Sequence, residues 1–195
     1  MLRDGDGGGT DSCHGRISAG TTTLGVALAR RLGLHHLDTD DLYWMPTDPP
    51  YTTPRAVQER LALFRSRAPA RQGWVLSGSA LKWGEPIEPL YDLIIFLTID
   101  PLLRMARIRR REAARYGARI LPGGDMAERS KAFLIWAESY DAAGTDCRSL
   151  ASHKEWLALQ SAPVVSLNSS LPVATLVEAV CRHPVVQEEL QGQEG

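Results

Sequence analysis

The residues best suited to chemistry lie between Gly15 and Thr23. Gly15-Arg16-Ile17-Ser18-Ala19-Gly20-Thr21-Thr22 has the spacing G-x-x-x-x-G-x-T and runs into a helix pattern. Glycines let backbone N–H groups close round phosphate oxygens, and a helix N-terminus adds positive potential at the same place. On that reading Gly15, Ser18, Ala19, Gly20, Thr21, Thr22 and Thr23 form a phosphate-binding loop, with the Thr22 hydroxyl as a ligand to Mg²⁺. Thr21 stands where a phosphate-neutralising Lys is usual. A charge-assisted hydrogen bond is worth roughly 1.5–3 kcal/mol, so binding is expected to survive this residue while transfer slows. Taken alone, the spacing also describes an ordinary Gly-containing turn.

Two further groups have suitable chemistry. Asp38, Asp40 and Asp41 follow a short strand-like run, Leu34 to Leu37. The C-terminal ends of strands are where open α/β sheets bind ligands, and carboxylates there can hold Mg²⁺ through water or orient an acceptor hydroxyl. A capped, solvated turn is the alternative. Ser77-Gly78-Ser79 leaves a second strand end, with Lys82 and Trp83 beyond it, so Ser79 and Trp83 join Asp38, Asp40 and Asp41 as candidate acceptor contacts. His35 and His36 are adjacent and point to opposite sides of a strand, which argues against a shared metal. Finally, Arg104, Arg107, Arg111 and Arg115 fall within about an 80° arc at helical spacing. Such a stripe could clamp a transferring phosphoryl group. It could also be a solvated basic face or an RNA surface, although no aromatic residues interleave it.

The elements that must position these residues are legible as periodicities. Leu24, Leu28 and Leu32 stripe a helix that Gly33 ends. Thr53-Pro54 reads as a helix start, with Val57, Leu61 and Phe64 as its buried stripe. Trp74 to Leu76, Leu93 to Leu97 and Val164 to Leu167 read as strands, the second apolar enough to be buried on both faces. Asp100-Pro101 opens the Arg-rich helix, which runs to about Tyr116. Asp125 and Glu128 read as a capping pair, and Ser149 to Leu159 as another helix. Val173, Leu176, Val177 and Val180 stripe the last one, and beyond Pro184 the chain is expected to fray. Strands alternating with helices predict an α/β domain with a parallel sheet.

Composition narrows the function classes. The net charge of −1 gives no electrostatic case for nucleic acid or an acidic membrane. The basic residues include only three lysines, Lys82, Lys131 and Lys154, and Arg suits planar contacts to phosphate. Cys13, Cys147 and Cys181 make no metal pattern or disulfide framework, so a reducing, cytoplasmic setting is expected. No leader pattern is visible, and no apolar run is long enough to cross a bilayer. The oligomeric state is not legible.

Ser18 to Gly25, Leu37 to Trp44, Trp74 to Ser79, Asp92 to Leu97 and Pro122 to Met126 together resemble the P-loop kinases of small molecules, such as adenylate, cytidylate and shikimate kinases. They are most similar to bacterial adenylate-kinase-like ATPases of unassigned substrate, some of which carry Thr at the position of Thr21. The resemblance implies a three-layer P-loop kinase fold with a parallel sheet of about five strands, helices on both faces and an Arg-rich helical lid at about 104–125. The domain is expected over 15–183, while composition marks 1–14 as a polar, Gly-rich flexible segment and 184–195 as a polar tail. The resemblance also implies ATP and Mg²⁺ as donor and cofactor, a small-molecule acceptor, Thr22 and Asp38 at the metal, and Asp40, Arg104, Arg107, Arg111 and Arg115 at the reaction. The alternative from another class is a nucleotide-binding protein that senses ATP without transferring its phosphoryl group.

Overall fold

A computed structural model of the chain describes residues 19–69, 73–81, 83 and 86–192. Gly15, Ser18, Lys82 and the segments 1–14 and 193–195, all named above, lie outside the described residues.

The order of elements follows the apolar periodicities closely. Helix α1 (Thr21–Leu32) buries Leu24 and Leu28 and ends on Gly33, whose φ of 67° is left-handed. Strand β1 (His35–Asp38) leads directly into the short helix α2 (Thr39–Tyr43). Helix α3 (Val57–Arg67) starts later than Thr53-Pro54 suggested, because Pro54 bridges to Trp44 and Glu59 accepts from the Ala56 amide at 3.3 Å. Of its expected stripe, Phe64 is buried but Val57 is exposed. Strand β2 (Trp74–Ser77) follows, then β3 (Ile94–Thr98). Helix α4 (Pro101–Tyr116) is capped by Asp100, whose carboxylate accepts from the amides of Leu102 and Leu103. A 3₁₀ turn at Gly117–Ile120 precedes α5 (Ala127–Ser139), and α6 (Leu150–Ala158) is capped by Ser149. Strand β4 (Val164–Asn168), α7 (Val173–Cys181) and α8 (Pro184–Gly192) complete the order.

Three expectations are corrected. The class is α/β, but the described strands form two separate parallel pairs, β1–β2 and β3–β4, and not one sheet of about five strands. The sequence supplies four strand patterns, and the expectation of about five strands came only from the resemblance. Among the described residues β3 pairs with β4 alone, and of Leu93 to Leu97 just Leu97 is buried. Asp125 does not cap α5: its carboxylate is held by Arg119 instead. The region after Pro184 is a helix, where a fraying tail was expected.

Three apolar clusters hold the elements. Leu37, Leu42, Phe64, Trp83 and Ile87 pack α2 and α3 against β1 and β2. Leu24, Leu28, Leu97, Leu176 and Val180 pack α1 on α7 and on both strand pairs, with Val75 and Ile95 at the margin. Met105, Ile108, Trp136 and Ala137 join α4 to α5. Helix α1 is therefore the common wall of the two pairs, and its N-terminus meets the C-terminal end of β1, where Thr22 reaches Asp38.

Candidate functional site

The parallel register aligns the strand ends. Asp38 faces Ser77 across β1–β2, and Thr98 faces Asn168 across β3–β4. Beside these ends lies a cavity of about 980 Å³. Its walls run from the N-terminus and inner face of α1 along β2 and β3, and take in the turns after β1 and β2, the arginine face of α4, the end of α5 with the start of α6, and α7 with the start of α8.

At the α1 end, Gly20 has φ 82°, a conformation that favours glycine, and as the N-cap residue it offers no side-chain cap. The first-turn residues Thr21, Thr22 and Thr23, at the positive end of the helix, line the cavity. The Thr22 hydroxyl donates to Asp38 Oδ2 at 2.9 Å. Asp38 is buried; its other oxygen caps α2 through the Asp40 amide at 2.9 Å, and Ser77 Oγ lies 3.3 Å from Oδ2. This is a hydroxyl next to an oriented carboxylate, an all-oxygen donor set that suits Mg²⁺ completed by phosphate oxygens and water. Among the described residues there is no group of three or more His, Cys, Asp or Glu able to hold a metal unaided.

The turn after β2 is shaped by Gly78. Its φ is 111°, and a Cβ there would sit 1.8 Å from Thr39 Oγ1. That hydroxyl in turn accepts the Ser79 amide at 3.2 Å. The arrangement directs Ser79 into the cavity beside Asp40.

The arginine stripe is divided in use. Arg107 and Arg111 line the cavity, and the Arg107 guanidinium donates twice to the Ser169 carbonyl at 3.3 Å. Arg104 also reaches the cavity wall, but it is only 2% exposed and its guanidinium grips the Asp141 carboxylate from two nitrogens. Arg115 is turned away and lies over the Tyr51 ring, 4.1 Å from its centroid.

The sequence-derived candidates therefore sort as follows. Ala19, Gly20, Thr21, Thr22, Thr23, Asp40, Ser79, Arg104, Arg107 and Arg111 line one cavity, with Asp38 directly behind Thr22. Asp41 is exposed off the cavity, Trp83 belongs to the apolar core, and Arg115 belongs to the contact with Tyr51. The acceptor role for Trp83 and the reaction role for Arg115 are thus not favoured by geometry.

Sequence reasoning missed Arg148, His153, Tyr140 and Ser169, all of which line the cavity. His153 is buried, with Nδ1 2.8 Å from the Ser149 carbonyl and 3.1 Å from Tyr140 Oη, and Nε2 3.0 Å from Ser79 Oγ. Burial and then the neighbouring Arg148 cation pull its pKa down to about 4. Burial likewise lowers the Arg148 guanidinium, with the Asp40 carboxylate acting in the opposite direction, and raises the Tyr140 phenol to about 12. Among the described residues Ser169 Oγ is buried without a hydrogen-bond partner, at the cavity wall. The available signal was Ser149 as a helix cap, which puts His153 on the first turn of α6; nothing local reveals that this turn meets Ser79, 74 residues away.

No protein-family model matches the chain. It is similar to the uncharacterized protein YqaC of Bacillus subtilis (strain 168), with 40% identity over 166 residues, covering 85% of this chain and 92% of that protein.

Proposed function

This chain belongs to one family with YqaC of Bacillus subtilis, and for it we propose a P-loop small-molecule kinase: an ATP-dependent phosphotransferase that moves the γ-phosphoryl of Mg·ATP to a small acceptor. The observation that carries the reading is the Thr22–Asp38 hydrogen bond of 2.9 Å at the N-terminus of α1, beside a cavity lined by Arg107 and Arg111. Phosphoryl transfer needs little covalent help from protein; it needs positioning and neutralised charge. The amides of Thr21, Thr22 and Thr23 would receive phosphate oxygens. Thr22 and Asp38 would hold Mg²⁺, which supplies charge neutralisation between phosphates. Arg107 and Arg111 would stabilise the charge that develops on the moving group, and Asp40 with Ser79 would face the acceptor. A cytoplasmic setting, with no nucleic-acid or membrane partner, belongs to the same proposal. Among the described residues no helix is long and apolar enough to cross a membrane.

A radiolabelled-ATP screen against nucleotides and hydroxyl compounds tests it, with transfer to some acceptor as the expected result. Thr21, standing where a Lys is usual, favours a second reading in which Mg·ATP binds without being spent. Calorimetric binding of Mg·ATP with no transfer in the screen selects that reading. No binding at all sinks both.

A further inference from the structure

We propose that the acceptor at this site is an alcohol, recognised through its O–H by Ser79 Oγ, and not the phosphate group of a nucleotide. The inference rests on the phosphotransfer reading and deepens it.

The argument is one of hydrogen-bond polarity. The Ser149 carbonyl can only accept, so the His153 nitrogen 2.8 Å away, Nδ1, carries a proton. Tyr140 Oη, 3.1 Å from the same nitrogen, shares it. With its pKa held at about 4, the ring is neutral at pH 7 and bears one proton only. Nε2 is therefore a bare lone pair, and Ser79 Oγ, 3.0 Å away, must donate to it. The Ser79 proton is committed, which leaves its oxygen as an acceptor. One amide, that of Leu81, lies at 3.5 Å from this oxygen, the outer limit of a hydrogen bond. What remains faces the cavity, which Asp40 also lines.

An oxygen with only lone pairs to offer selects a donor. An alcohol O–H fits and is turned so that its own lone pairs point away from Ser79. A phosphate oxygen, anionic and without hydrogen at neutral pH, would meet lone pair with lone pair. His153 is thus a positioning residue, acting through Ser79. In the transfer, the alcohol oxygen forms a bond to the γ-phosphorus, the bond from that phosphorus to the bridging oxygen breaks, and ADP leaves with the electron pair. The alcohol proton passes to Ser79 Oγ as the Ser79 proton passes to Nε2, and is lost to water on release. A weak base suffices, because in a loose transition state the alcohol becomes acidic only once its bond to phosphorus is forming.

The test uses the full ¹⁵N-labelled chain and imidazole ¹H–¹⁵N spectra at pH 7, with His153 identified by its loss in His153→Gln. A proton on Nδ1 and a bare Nε2 are expected. Saturating glycerate should shift the Nε2 signal, whereas methyl phosphate, also an anion but without an alcohol, should not. Ser79→Ala should weaken glycerate binding by about tenfold, the scale of one lost hydrogen bond, and Ser79→Thr should retain it. A proton on Nε2, a shift with methyl phosphate alone, no shift with glycerate, or equal glycerate binding in Ser79→Ala would each overturn the proposal. Melting curves of each variant confirm that it is folded. These titrations omit nucleotide, so a failure of Mg·ATP to bind in separate calorimetry counts against the kinase reading and leaves the alcohol-binding result to be judged by itself.

Discussion

At the scale of single residues, the same residue type does different work according to what surrounds it. Four arginines share one arc of α4, yet Arg104 is spent on Asp141, Arg115 lies on Tyr51, and Arg107 and Arg111 line the cavity. Arg107→Ala and Arg111→Ala are expected to lower kcat strongly while leaving ATP affinity within a few-fold, because an interaction made in the transition state appears in kcat. Arg115→Ala should leave kcat nearly unchanged. Steady-state kinetics on the three variants checks this ordering; an Arg115→Ala loss equal to the others would contradict it. Thr22 makes a second prediction. Its hydroxyl sits on Asp38, where Mg²⁺ would be held, so Thr22→Ala should weaken Mg·ATP binding more than metal-free ATP binding. Paired calorimetric titrations with and without Mg²⁺ read the difference directly, and equal losses would remove Thr22 from the metal.

At the scale of elements, turns decide whether these residues meet. Gly78 joins β2 to the Ser79 turn at φ 111° and leaves room for the Thr39 hydroxyl. Gly78→Ala adds both backbone strain and a collision, for which a cost of about 1–3 kcal/mol is expected from strain alone. Denaturant melts should show that loss, and a neutral substitution would mean the turn relaxes freely. The segment after α4 is held differently. Arg119 bridges Asp125 and Asp48, Arg129 donates to the carbonyls of Tyr51 and Thr52, and Tyr116 donates to the Pro50 carbonyl at 3.1 Å. These contacts tie the 117–126 turn to the Pro-rich loop 46–53, both near the surface. Exposed ion pairs stabilise a fold little. Arg119→Ala should therefore leave the melting temperature nearly unchanged while speeding amide exchange over 121–126. Unchanged exchange there would show that Arg119 does not hold the turn.

At the scale of the whole molecule, the cavity ties function to acid stability. His153 is buried among Tyr140 just after α5, the Phe96 ring of β3, Ser79 after β2 and the Arg148 cation. Its folded pKa of about 4 lies below the ordinary His value. Between that value and about 6.5 the unfolded chain binds the proton and the folded one does not, so stability falls as pH falls through this window. The full effect is on the order of 3 kcal/mol. Urea titrations at pH 7 and pH 4.5 should show a fall that is smaller in His153→Gln; an equal fall in both would assign the acid sensitivity elsewhere.

Much of this was written locally. Helix α4 begins at Asp100-Pro101 and ends at Tyr116 because a capping carboxylate, a proline at the first turn and a continuous periodicity are all properties of neighbouring residues. Ser149 capped α6 and Gly33 ended α1 for the same reason. Thr22 and Asp38 could be proposed together because a helix N-terminus and a strand end are both visible in the chain. What tertiary structure alone decided was pairing at a distance. Strand patterns are the same whether strands join one sheet or two, so the division into β1–β2 and β3–β4 had no local signature. An arginine stripe looks uniform along a helix until Asp141 and Tyr51 take two of its members. His153 is one more helical residue until the fold brings its imidazole to Ser79, since a hydrogen bond between residues so far apart depends on the path of everything between them.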